Sequence, residues 1–287
     1  MATKASALPS SLSREPLDLH LWGLEAISWD TDRIGPCVLL IPGHFCPRNF
    51  WFPRSRDGFG DWLYNQGFNP VALTDALDNQ LSTETRRTSD WVFHILPRVI
   101  GHLAQSRNQK IHVVGYSAGG AYALASASLL QPQLNLASLA VVGTQLSHHQ
   151  ESQLTRRALR LLGRLPIRLN GRWLGLPVSH NSALELSEYV DTKAGEPFSR
   201  TPLSSLRAPA SITIHTPLLS LSSSHDVVAP PEGCKELFER VNAPEKRFQV
   251  LENNQTQKRI QHFELFARRH REQVWPILLD WLRRRAD

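Results

Sequence analysis

Residues 111–120 read Ile-His-Val-Val-Gly-Tyr-Ser-Ala-Gly-Gly. An apolar, strand-like run meets a serine flanked by glycines, and a run of small residues and leucines over 121–130 then favours a helix. A strand that turns at once into a helix leaves its turn residue on a strained backbone, with the side chain projecting above the sheet. Gly115 and Gly119 stand two positions either side of Ser117, where a Cβ atom would crowd so tight a turn. The first amides of the new helix then lie beside the serine oxygen, where they stabilise developing negative charge. A chain with this feature is constrained to an α/β architecture with Ser117 at a sheet end.

The flanking sequence repeats the pattern. Residues 17–29 alternate as one or two edge strands, and Cys37-Val38-Leu39-Leu40-Ile41 is a continuous apolar run of the kind buried on both faces. Pro42-Gly43-His44-Phe45 ends it as a turn. A short helix over 60–66 and a strand over 70–73 follow. Ser89 is a helix N-cap before Val92, Ile95, Leu96, Ile100 and Leu103, which share one helical face. After the strand at 111–114 and the Ser117 helix come strands over 136–142, 216–221 and 247–251, with a helix over 231–241. Helical sequence over 263–269 and over 277–285, the latter with Pro276 in its first turn, closes the chain. Strands alternating with helices imply βαβ units and a mostly parallel sheet flanked by helices.

Between 144 and 209 the alternation stops. Leu154, Ala158, Leu161, Leu162 and Leu165 recur at helical spacing among arginines, and prolines and glycines punctuate the rest of the segment. The position favours an inserted helical cap over 144–209, splitting the core into 17–143 and 210–287, although an ordinary helical face on the core explains the leucines equally well. Residues 1–16 carry no apolar h-region and are expected to be a flexible leader.

Of the 287 residues, 41% are apolar and 20% charged, the balance of a globular chain, and no apolar run approaches the roughly 20 residues of a membrane span. The net charge of +6 is scattered, and no nucleic-acid motif accompanies the arginine clusters. A solvated basic face is expected, with room for transient contact with an anionic lipid surface. Cys37, Cys46 and Cys234 are odd in number without paired spacing, which argues against a disulfide framework and points to a cytoplasmic compartment.

A serine hydroxyl needs a base within hydrogen-bond reach, and the base needs an acid to orient it. In a parallel sheet these partners belong on loops just past later strands. Asp226 follows the 216–221 strand, and His262 follows the 247–251 strand at a loop-to-helix junction. His225 occupies the place where the acid is wanted, and His270 lies well into the last helical region. For the oxyanion hole, one backbone N–H is expected from Ala118, after the serine, and the other from His44 or Phe45. His44 could equally be a side chain facing a substrate.

With Gly-Tyr-Ser-Ala-Gly-Gly, Ser-His-Asp-Val-Val-Ala-Pro and Gln-His-Phe-Glu-Leu-Phe in this order, the chain resembles the α/β-hydrolase superfamily. It is most similar to bacterial serine hydrolases grouped with monoacylglycerol lipases, lysophospholipases and esterases. The resemblance implies a triad of Ser117, Asp226 and His262, a lid over an acyl pocket, and no metal or organic cofactor. Two positions depart from the pattern. The oxyanion loop reads Pro42-Gly43-His44 rather than His-Gly, and Gln261 precedes the histidine in place of glycine.

The expected activity is hydrolysis of small-molecule carboxylic esters with apolar acyl groups. Phe45, Trp51 and Tyr116, with Trp173 of the cap, are expected to line the pocket, or the aromatics seal the cap onto the core. Thioester, lactone, amide or peptide cleavage, acyl transfer and perhydrolysis stay open, because fold and triad set the reaction class and the pocket sets the substrate. A non-catalytic binding protein on the same fold is the remaining alternative.

Overall fold

The computed structural model describes residues 11–14, 24–29, 34–43, 46–75, 90–130, 134–145, 172–173, 176–177, 212–252 and 259–286. Among these, eight strands form one sheet in the order β1(Leu12–Arg14), β2(Leu24–Trp29), β4(Asn69–Asp75), β3(Cys37–Ile41), β5(Ile111–Tyr116), β6(Leu136–Val142), β10(Leu218–Ser223), β12(Lys246–Leu251). From β4 to β12 all neighbours run parallel, while β2 runs antiparallel to both β1 and β4. The expected mostly parallel sheet is therefore present. Leu12–Arg14 pairs with Ile27–Trp29, so regular structure begins inside the segment read as a leader. Its three residues carry little strand signal of their own and are held by the backbone ladder.

The sheet divides two cores, because successive side chains of a strand point to opposite faces. Leu39, Ile41, Val113, Leu139 and Val141 join one layer with residues of α2(Leu96–Arg107), α3(Ala118–Leu129) and α4(Pro231–Arg240). Val38, Leu40, Val114, Tyr116, Val142, Leu219 and Leu221 join the other, against α1(Phe59–Asn65) and α5(Arg271–Arg283). Burial on both faces explains why β3 reads as an unbroken apolar run. Each fully buried Leu or Val contributes roughly 1.5–3 kcal/mol.

Some helix boundaries differ from expectation. One π-helical turn, Trp91–Ile95, leads into α2, and Ser126 of α3 donates its hydroxyl to the Val92 carbonyl at 3.0 Å. The proposed cap Ser89 lies outside the described residues. Helix α5 begins at Arg271, which puts Pro276 in its interior rather than its first turn. The burial of Val274, Trp275, Leu278, Leu279, Trp281 and Leu282 carries the helix through the proline.

Most of the expected cap, including its leucine stripe, lies outside the described residues. Within it, β7(Arg172–Trp173) pairs antiparallel with β8(Leu176–Pro177). Thr144 and Gln145, assigned to the cap by sequence, are buried directly after β6. The remaining strands β9(Ile212–Thr213) and β11(Val241–Asn242) form a separate parallel pair beside α4.

Candidate active site

The chain leaves β3 for β4 on one side and returns across it to β5, which makes the β3/β5 boundary a topological switch point. In open α/β sheets ligands bind at such points, outside the carboxyl ends of the strands. Ser117 stands there, between β5 and α3, at φ 53° and ψ −120°. Its N–H donates to the Val142 carbonyl at 2.8 Å, tying the turn to the end of β6. A Cβ on Gly115 would lie 2.5 Å from the Gly120 Cα, and one on Gly119 would run into the Pro42 carbonyl. The two glycines thus let strand, turn and helix close on one another. A Cβ on Gly43 would lie 2.9 Å from the Ser117 Cβ, so the loop after β3 passes directly beside the serine.

The other two predicted residues arrive on separate loops. β10 ends at Ser223, and Asp226 follows a two-residue turn, buried at 2% exposure. Its Oδ1 accepts the N–H groups of Val228 at 2.9 Å and Ala229 at 2.8 Å. Its Oδ2 lies 2.7 Å from His262 Nδ1. His262 opens a 3₁₀ turn, His262–Glu264, after β12, and its Nε2 lies 3.0 Å from Ser117 Oγ. The neutral tautomer that satisfies both contacts carries its proton on Nδ1, leaving Nε2 to accept from the serine hydroxyl. The three predicted residues are thus brought into one hydrogen-bonded chain. Of the alternative histidines, His225 contacts Ser224 and His270 contacts Gln273.

The turn bearing His262 is held at both ends. Gln261, where glycine was expected, donates its N–H to Glu264 Oε2 at 3.1 Å, and Glu264 also pairs with Arg269. Ser223 Oγ donates to the Ile260 carbonyl at 2.6 Å, joining this turn to the end of β10. Gln261 is exposed, so a side chain is accommodated there.

Two residues expected to line the pocket are found in the core. Tyr116 and Trp51 are each 1% exposed and belong to the core beneath the site, so neither ring is open to a substrate. Tyr116 instead stacks on Phe50 at 5.5 Å and donates its hydroxyl to the His262 carbonyl at 2.8 Å. Burial pushes its phenol well above the usual range, which keeps it a donor. Trp51 packs edge-on against Phe50 and Phe266, each with ring centroids 4.7 Å away. Large aromatics beside a motif declare burial as readily as contact with a ligand. Phe263, half-buried, sets its ring edge-on to His262 at 5.3 Å.

Ala118 is half-buried at the start of α3, whereas His44 and Phe45 lie outside the described residues, as does the side chain of Trp173. Sequence reasoning missed Thr144 and Gln145. Thr144 Oγ1 donates to the Ser117 carbonyl at 3.0 Å, and Gln145 Nε2 donates to the Val228 carbonyl on the Asp226 loop at 2.8 Å. Neither residue type carries a signature that could have marked it. Burial pushes the Cys46 thiol up to about 12 and that of Cys234 well above its ordinary value, so neither is a thiolate at neutral pH. Among the described residues no group of three or more His, Cys, Asp or Glu side chains could hold a metal ion, and no helix is long and apolar enough to cross a membrane.

Fold, strand order and the serine turn define an α/β hydrolase. The family model described as serine aminopeptidase, S33, matches residues 96–254, more than half of the 287, and the chain belongs to that family. No curated protein matches the sequence. Among solved structures, the lip1 protein of Acinetobacter baumannii AYE is similar with a TM-score of 0.61 at 18% identity, over 94% of this chain and 91% of that one. GrgF, an α/β hydrolase from Penicillium sp. sh18, is similar at 0.58 and 18% identity over 97% and 99%. A thermophilic esterase from Thermogutta terrifontis is similar at 0.56 and 17% identity over 97% and 100%. At these identities the likeness establishes the fold.

Proposed function

We propose that the protein is a serine hydrolase that cleaves carboxylic esters of apolar acyl groups through an acyl-enzyme. The observation that carries this reading is the chain Ser117 Oγ–His262 Nε2 at 3.0 Å and His262 Nδ1–Asp226 Oδ2 at 2.7 Å. Ser117 Oγ attacks the acyl carbonyl as His262 Nε2 takes its proton, and Asp226 stabilises the resulting imidazolium. The N–H of Ala118 supports the tetrahedral oxyanion, with a second donor from the loop that holds His44 and Phe45. The C–O bond to the alcohol breaks as His262 returns its proton to the leaving oxygen. Water, activated by the same histidine, then attacks the acyl-enzyme and releases the acid and the free serine. Half-buried Phe263, edge-on to His262, supports an apolar acyl group.

A fluorescent fluorophosphonate tests the catalytic core of this reading. Wild-type protein is expected to carry the adduct on Ser117 by mass spectrometry, and Ser117→Ala and His262→Ala to carry none. Folded wild-type protein that resists the label overturns the reading in favour of a binding protein. Among p-nitrophenyl esters, butyrate and octanoate are expected to match or exceed acetate in kcat/KM, and a strong preference for acetate would sink the apolar pocket.

The family description favours a second reading, cleavage of an amide at a peptide N-terminus. That reaction uses the same three residues but protonates a leaving amine. Aminoacyl p-nitroanilides turned over faster than the esters would favour it.

A further inference from the structure

A trans peptide is a rigid plane in which the C=O and N–H point in opposite directions. The Ser117–Ala118 peptide therefore carries the Ser117 carbonyl on one side and the Ala118 N–H, the oxyanion donor of the proposed mechanism, on the other. Whatever holds the carbonyl also aims the N–H.

Among the described residues, three donors reach that carbonyl. Gly120 N at 3.1 Å and Ala121 N at 3.2 Å belong to α3 itself and hold the peptide only relative to its own helix. The third is Thr144 Oγ1 at 3.0 Å, on the segment that leaves β6. The same hydroxyl lies 3.4 Å from the Val142 carbonyl, the acceptor of Ser117 N–H, so its single proton serves the shorter contact. Thr144 is 2% exposed and anchored on both sides. Gly143 N donates to Leu221 at 2.8 Å, and Gln145 holds the Asp226 loop through Val228. The second glycine of the Gly119-Gly120 pair has its reason here, because a Cβ on Gly120 would lie 2.2 Å from Thr144 Oγ1.

We propose that Thr144 is a positioning residue that orients and polarises the Ser117–Ala118 peptide, so that the Ala118 N–H meets the oxyanion without rearrangement. A hydrogen bond accepted by the carbonyl draws electron density from the amide and strengthens its N–H as a donor. The residue touches no substrate and acts through the peptide plane. This proposal rests on the serine-hydrolase reading.

Wild type, Thr144→Ser, Thr144→Val and Thr144→Ala are compared on p-nitrophenyl butyrate, with an alkyl boronic acid as mimic of the tetrahedral intermediate. Losing an oxyanion donor outright costs roughly 100- to 1,000-fold in kcat, so misaiming one is expected to cost about tenfold. The valine and alanine variants should lose about tenfold in kcat at unchanged KM and bind the boronate more weakly by the same factor. Serine, which keeps the hydroxyl, should restore both. The valine methyl presses on Gly120 and the alanine does not, so a folding defect in one leaves the other as the test. Wild-type kcat and boronate affinity in either hydroxyl-free variant overturn the proposal, as does a serine variant that falls as far as valine. Wild-type protein that neither turns over ester nor takes the fluorophosphonate overturns the hydrolase reading itself.

Discussion

Ser117 holds φ 53° and ψ −120°, a region that costs an L-residue on the order of 1–3 kcal/mol and persists where the surroundings over-determine it. Here they do, through bonds to Val142 and Thr144 and through the close approach of Gly43. Glycine adopts this conformation without the Cβ clash. Ser117→Gly is therefore expected to abolish turnover while raising stability by about 1 kcal/mol, read as a higher midpoint in urea, whereas Ser117→Ala keeps the strain. Equal midpoints for the two variants would show that the turn stores no strain. The serine, aspartate and histidine were legible because each follows a predicted strand, in the order Ser, Asp, His. Thr144 and Tyr116 were not, since a hydroxyl that donates to a backbone carbonyl constrains only its own surroundings and leaves no pattern along the chain.

The inner strands could be read from sequence because helices cover both faces, which makes β3 apolar throughout and β5 and β6 mostly so. β1 could not, because its ladder needs only backbone groups, which every residue supplies. α5 was read as starting too late because proline ordinarily belongs at the start of a helix. Its apolar stripe overrides that preference, while the exposed Pro276 lacks the N–H that would otherwise bond the Glu272 carbonyl one turn earlier. An interior proline costs a helix about 3 kcal/mol, partly offset by the stiffer unfolded chain. Pro276→Ala loses no buried contact and is expected to stabilise the protein by about 1–2 kcal/mol, with a thermal midpoint several degrees higher. An unchanged or lower midpoint would mean that the helix has bent to absorb the ring.

Two buried groups oppose one another across the molecule as pH falls. Asp61, bonded to Gly58 N–H and the Trp29 indole, is pushed up to about 6 by burial. Its folded form keeps a proton that the unfolded chain has released, so its contribution is present below about pH 4 and lost as pH rises through 6. His112, beside Ser138 in β5, is pushed down to about 4 by burial, so its contribution is present above pH 6.5 and lost on acidification toward 4. Each amounts to about 3 kcal/mol, and over this window they largely cancel. Asp61→Asn removes one side of the balance. Its unfolding free energy is expected to fall relative to wild type between pH 6.5 and 4.5, and a constant difference would overturn the assignment. A different consequence comes from the two cores that the sheet separates. Ser117 rides on a helix packed into one layer, while the turn bearing His262 leads into α5, packed into the other, 145 residues further along the chain. The hydrogen-bonded chain from Ser117 through His262 to Asp226 exists only when both layers have docked. Regained turnover would therefore mark the last step of refolding, after each layer had acquired its own secondary structure.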